Sequence, residues 1–243
     1  MKKAKKILAL AFAFVFTVVC TVGATIAWLQ DDDAQTNTFT VGNVDIDLEE
    51  NYTQDSKLLP VTGSAQNGTL ENGVTKEVYV KNMGSEDAYV RVHIAIPSVL
   101  DDGADTFDAS ANILHFNFDE ESIGEKKWDW SKTTGTPYTG EWNFYTTTID
   151  SIAYNVYVVT YESALAGKDG ETIAKTEYAM NQVYLDKGVT NEDITRLKET
   201  LGETWNIKVV AEGVQAAGFD NAYEALNSAF GVPGAEGYDP FNK

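Results

Sequence analysis

Residues 90–97 read VRVHIAIP: Val90, Val92, Ile94 and Ile96 alternate with Arg91, His93 and Ala95, and Pro97 ends the ladder. A period of two over this length is the mark of a half-buried antiparallel strand, with one face on a core and the other toward water. The same pattern recurs outward from it. Leu114, Phe116 and Phe118 repeat it, and Val78 with Val80, Val183 with Leu185, and Ile207, Val209 and Ala211 mark three more strands. Residues 152–161, IAYNVYVVTY, are apolar on both faces and predict a central strand.

Two helices interrupt the strands. Thr190 and Asp193 form an N-terminal cap pair, Ile194, Leu197 and Leu201 follow at helical spacing, and Gly202 closes the helix. Asp220 is the expected cap of the second, whose stripe is Ala222, Ala225, Leu226 and Ala229, with Gly231 at its end. Both read as short amphipathic helices laid on a sheet. No repeat and no long linker divides the chain, so residues 41–243 are expected to form a single mainly β domain.

Composition narrows the function classes. The 243 residues hold 18 Lys and Arg against 37 Asp and Glu, a formal net charge of -19. A polyanion meets heavy Coulomb repulsion at such a surface, so nucleic-acid binding is excluded as an expectation. One cysteine, Cys20, rules out a disulfide framework and a Cys-ligated zinc site. It follows Val18 and Val19, not the small residue that a lipidation site needs.

The N-terminus reads as a targeting signal. Lys2, Lys3, Lys5 and Lys6 precede the apolar run 7–22, and Thr25 and Ala27 are small residues where a signal peptidase reads. Cleavage is therefore placed between Ala27 and Trp28. The competing reading is an uncleaved anchor, because residues 7–29 are long enough to span a bilayer. Only through that segment would the chain meet a membrane. Removing 27 residues, with four lysines and no acid among them, leaves 216 residues, a net charge of -23 and no cysteine.

Residues 39–48, FTVGNVDIDL, change phase. Phe39 and Val41 are apolar at odd positions, Val44, Ile46 and Leu48 at even ones. A one-residue slip turns a strand inside out, so a bulge or bend is expected at Gly42 and Asn43.

Catalytic signals are missing. HExxH, GxSxG and a phosphate-cradling glycine loop are all absent from the sequence, and the only histidines are His93 and His115. Each alternates with core residues and is expected to face solvent; a zinc pair would need the two strands to be neighbours. Asp101, Asp102, Asp105 and Asp108, like Asp31, Asp32 and Asp33, read as solvated acidic loops, since the EF-hand spacing is absent. No cofactor or metal is expected. The aromatic stretch with Trp128, Trp130, Tyr138 and Trp142 predicts a hairpin whose rings pack on a core edge or, alternatively, stack on glycans.

Three segments carry a resemblance. ATIAWLQDDDAQTNTFTVGNVDIDLEE (24–50), KNMGSEDAYVRV (81–92) and WNIKVVAEGVQAAGFDNAYEAL (205–226) resemble the TasA and camelysin family, secreted proteins of Gram-positive bacteria processed by a SipW-type signal peptidase. The resemblance implies a jelly-roll-like antiparallel β-sandwich with two short peripheral helices. It also implies a secreted subunit of biofilm matrix fibres at the cell surface, and the missing catalytic motifs make a non-enzymatic one the expectation. Residues 28–40 would then be a donor strand carrying Trp28, Leu29 and Phe39, freed by signal cleavage and paired with the next subunit. Such a head-to-tail homopolymer does not close and grows as a filament. Asp31, Asp32 and Asp33 are poor sheet residues that repel between copies, so acid or divalent cations are expected to promote assembly. A monomeric glycan-binding adhesin and a camelysin-like metalloprotease are the alternative readings.

Overall fold

The computed structural model describes residues 30–33, 43–52, 57–60, 62–64, 69–101, 113–117, 127–129, 144–202 and 205–241. Thirteen strands among these residues are β1 (Gln30–Asp33), β2 (Ile46–Tyr52), β3 (Thr62–Ser64), β4 (Thr69–Glu71), β5 (Val74–Asn82), β6 (Ala88–Pro97), β7 (Leu114–Asn117), β8 (Trp128–Asp129), β9 (Phe144–Ile149), β10 (Ile152–Tyr161), β11 (Ala174–Lys175), β12 (Met180–Leu185) and β13 (Lys208–Gln215). Two α-helices, α1 (Asn191–Leu201) and α2 (Ala222–Phe230), and a 3-10 turn over Ser98–Leu100 complete the set among these residues.

The strands form two antiparallel sheets and a small β3–β4 ribbon. The first sheet runs β1-β13-β6-β10, with β8 and β9 on the far edge of β10; the second runs β2-β5-β12-β7, with β11 beside β12 on β5. Successive strands β5, β6 and β7 alternate between the sheets, as do β10, β12 and β13. The result is a jelly-roll-like β-sandwich, as expected. Its core lies between the sheets, where Val90, Val92, Ile94 and Ile96 of β6 meet Ile46, Val78, Val80, Met180 and Leu185 of the second sheet. Burying each of these side chains contributes roughly 1.5–3 kcal/mol.

Helix α1 has the expected capping box: the Thr190 side chain accepts from the Asp193 amide and Asp193 accepts from the Thr190 amide. Helix α2 is capped one residue later than expected. Asn221, not Asp220, accepts from the Glu224 amide at 2.9 Å, because its extended backbone sets it three residues before that donor. Between β9 and β10, Asp150 and Ser151 both have positive φ (52° and 68°), forming the two-residue turn that suits strand twist.

One expectation for β6 is corrected. It is buried on both faces, not one. Helix α2 and the chain that follows it, through Phe241, lie over the outer face of the first sheet and form two further apolar clusters there. Val214, Ala222, Ala225 and Leu226 make one; Ala95, Ile149, Tyr154 and Val156 make the other.

Candidate functional site

The first strand and its neighbour come first. β1 pairs antiparallel with β13 in the register Gln30 opposite Val214, Asp31 opposite Gly213, Asp32 opposite Glu212 and Asp33 opposite Ala211. The N-terminal segment thus extends the first sheet of its own chain by one strand. Of the expected assembly and cleavage residues, Ala27, Trp28, Leu29, Phe39 and Gly42 lie outside the described residues.

Asn43 is described, and it is pinned. Its carbonyl accepts from the Glu86 amide at 3.4 Å, and the Asp45 carbonyl accepts from the Met83 and Gly84 amides at 2.7 and 3.1 Å. Buried Asn82 organises this loop, donating to the Glu86 and Leu165 carbonyls at 2.8 and 2.9 Å and accepting from the Gly84 amide at 3.0 Å. A Cβ at Gly84 would sit 2.0 Å from the Asn43 carbonyl oxygen, so only glycine permits the approach. Across the sandwich, a Cβ at Gly213 would come 2.7 Å from Ile46 Cγ2. The chain is therefore held to the sandwich at Asn43, and β2 is seated closely behind β13.

A buried polar cluster sits on the outer face of the same sheet. Arg91 on β6 donates through Nε to Glu212 on β13, through one terminal nitrogen to Asn227 Oδ1 at 2.9 Å, and through the other to the Gly231 carbonyl and the Tyr238 hydroxyl at 3.0 and 3.1 Å. Tyr238 donates to Glu212 Oε2 at 2.8 Å, and His93 Nε2 lies 3.1 Å from the same oxygen. The Arg91 guanidinium also lies 5.4 Å from the centre of the Tyr238 ring. The side chains of His93 and Glu212 are fully buried, which corrects the expectation of a solvent-facing His93. The physical reason is the cover: α2 supplies Asn227 and the chain after it supplies Tyr238.

Burial by itself would raise the Glu212 carboxyl. The hydrogen bond and charge of His93, the charge of Arg91 and the bond from Tyr238 outweigh it and hold the group at about 2. Burial first, then the Glu212 charge, pushes the Tyr238 hydroxyl well above its usual value against the opposing pull of Arg91, and Tyr145 moves the same way. The Tyr145 hydroxyl is buried without a partner among the described residues. The arrangement is a clasp. It ties two strands, a helix and the C-terminal stretch together from the inside.

The remaining sequence candidates are dispersed. His115 lies on β7 in the other sheet, 3.1 Å from Asp186 and stacked on Tyr184, so the two histidines do not form a pair. Among the described residues no group of three or more His, Cys, Asp or Glu is placed to hold a metal ion. Asp101 is not solvated as expected. It is buried, accepting from the Tyr157 hydroxyl and from Asn155. Trp128 is a core residue: its indole packs edge-on to Tyr161 at 4.9 Å and donates to the Glu177 carbonyl. β8 and β9 lie end to end along β10 and do not pair with each other. Trp130, Tyr138, Trp142, Asp102, Asp105, Asp108 and Phe118 lie outside the described residues.

Sequence reasoning missed Glu212, Arg91, Asn227 and Tyr238 as one cluster. The signal was available in part: an acid inside the apolar run of β13, and two basic residue types inside that of β6. No family model, curated protein sequence or solved structure matches the chain.

Proposed function

We propose that this chain is an exported structural subunit of an extracellular matrix fibre of a Gram-positive bacterium. After signal cleavage between Ala27 and Trp28, its N-terminal segment would be donated as a strand to the next subunit. The observation that carries the reading is the antiparallel addition of Gln30–Asp33 to the edge of β13. It supports two requirements at once: the acidic segment can enter a sheet, and the sandwich has an edge that accepts it. The backbone hydrogen bonds at Asn43 and Asp45 support a fixed attachment to the sandwich downstream of that strand. The resemblance to the TasA and camelysin family points to the same role and to a SipW-type peptidase as processing partner. The glycan-binding alternative loses Trp128, which packs in the core.

The test is negative-stain microscopy of residues 28–243 beside residues 41–243, at acidic and neutral pH, with and without calcium. Filaments from the longer chain alone, enhanced by acid or calcium, are expected. Filaments from both chains, or from neither, would reject donation by the N-terminal segment.

A further inference from the structure

We infer that the outer edge of β9 is a self-association surface: β9 of one copy pairs antiparallel with β9 of a second about a two-fold axis through Thr146, joining two first sheets into one.

The free edges of the two sheets differ in charge. β1 carries Asp31, Asp32 and Asp33, and β2 carries Asp47, Glu49 and Glu50. β7 is four residues long, and its His115 is bound to Asp186. β9, FYTTTI, is six residues long and holds no charge, no proline and no glycine. Acid on an edge keeps copies of a chain apart, and a short edge gives them little to pair with. β9 has neither safeguard. Among the described residues it pairs with β10 alone, and Thr146 and Thr148 are exposed.

The backbone of β9 is set to receive a strand. Asp150 and Ser151 make a two-residue turn, so Ile149 and Ile152 form a hydrogen-bonded pair. Alternation then commits the backbone groups of residues 145, 147 and 149 to β10 and points those of 144, 146 and 148 outward. The register runs from Ile149 to Phe144 without a bulge. β10 is held in turn by β6, and Tyr145 and Ile149 pack in the outer cluster with Tyr154, Val156 and Phe241. An edge held this firmly has little freedom left to lose on binding.

A second copy is the occupant that fits. Two-fold pairing centred on Thr146 sets that residue opposite itself and residue 144 opposite residue 148 of the other copy, so the outward groups of both strands meet in full overlap. Charge selects the same place. With a formal net charge of -19, two copies repel, and they approach at least cost where neither presents a charge. The nearest acid, Asp150 in the turn, is paired with Lys208 at 2.6 Å. β9 lies on the opposite edge of the first sheet from β1, so the pairing uses nothing that the N-terminal segment needs.

Residues 28–243 contain no cysteine, which makes the register testable by cross-linking. Thr146→Cys places two thiols opposite each other on the axis, at a Cα separation of about 5.5 Å that a disulfide accepts. Thr148→Cys leaves its two thiols about 13 Å apart. Under mild oxidation of the 28–243 chain, Thr146→Cys is expected to give disulfide-linked dimers on a denaturing non-reducing gel and Thr148→Cys to stay monomeric. Sedimentation of the unaltered chain at neutral pH without calcium is expected to show a monomer–dimer equilibrium that salt tightens by screening the repulsion. Thr146→Lys should weaken that dimer about tenfold, by setting like charges face to face, while Thr75→Lys, at an exposed position of β5, leaves it unchanged. A monomer at every concentration, equal cross-linking at residues 146 and 148, or a Thr146→Lys dimer as tight as the unaltered one would overturn the pairing. Neither readout needs filaments. Cross-linked dimers from a chain that makes no filaments would support the pairing and reject the fibre reading; filaments from a chain that does not cross-link at Thr146 would overturn the pairing alone.

Discussion

The two sheets of this sandwich treat charge on their outer faces in opposite ways. On the first, Arg91, His93 and Glu212 are sealed under α2 and the chain through Phe241. On the second, Lys81 bonds Glu49, Asn51 bonds Glu77, and Lys81 and Lys175 flank the Tyr79 ring, all partly open to water. Both faces pair basic with acidic side chains across neighbouring antiparallel strands. What differs is the cover, and the cover decides what a charge is worth. A charge shielded from water must keep its partner, whereas an exposed one is solvated with or without it.

The largest expected effect follows from breaking the sealed pair. Glu212→Ala leaves the Arg91 guanidinium buried without its carboxylate and is expected to cost about 3–5 kcal/mol. Urea titration followed by fluorescence measures it. Replacing both partners, Arg91→Met with Glu212→Leu, is expected to recover part of that loss, because the desolvation cost of both charges disappears together while Asn227, Tyr238 and His93 still lose their bonds to them. A double variant as damaged as the single one would break the comparison.

Acid sharpens the same contrast. The folded value of Glu212, about 2, lies below its ordinary value of 4.5. Its contribution is therefore fully present above pH 4.5 and lost as pH falls from there through 2. A shift of that size corresponds to about 3 kcal/mol by linkage. Tyr238 and Tyr145 act at the other end: their folded values are raised, so their contribution is present below pH 10 and lost above it. Thermal midpoints across pH are expected to show a plateau between these limits. In Glu212→Gln the fall below pH 4.5 should flatten.

The same difference explains what could be read in the sequence. Strands β5, β6, β10, β12 and β13, both helices and the Thr190 cap were legible because local periodicity and capping chemistry fix them. The solvent-facing assignment of His93 failed because its partners are 119 and 145 residues away, in Glu212 and Tyr238. Alternation says that a second face is polar; it does not say whether something covers it. Asp101 taught the same lesson, since Tyr157 and Asn155 reach it from β10. The acceptor for the N-terminal segment depends on strand order, which pairwise patterns along one chain do not encode.

A smaller effect is expected from loosening the cover without touching the charges beneath it. Asn221→Ala removes the α2 cap and is expected to cost about 1 kcal/mol. Hydrogen exchange distinguishes where that loss is felt. Amides of α2 should exchange faster, while those of β6 and β10 change little.

The smallest effect belongs to the open face, and it tests the argument from the other side. The hydrogen bond from Lys81 to Glu49 raises the lysine, against a smaller opposing contribution from desolvation. Both side chains keep about a third of their surface in water, 29% and 35%. Water therefore replaces the pair at little cost, and salt screens what attraction is left. Lys81→Ala, Glu49→Ala and the double variant are expected to share the unaltered protein's unfolding midpoint within experimental error. Adding salt should change nothing further. If this cycle showed a coupling comparable to that of Arg91 with Glu212, burial would not be what separates the two faces. A shared feature, such as cross-strand placement on adjacent antiparallel strands, would then have to carry the stabilisation on both.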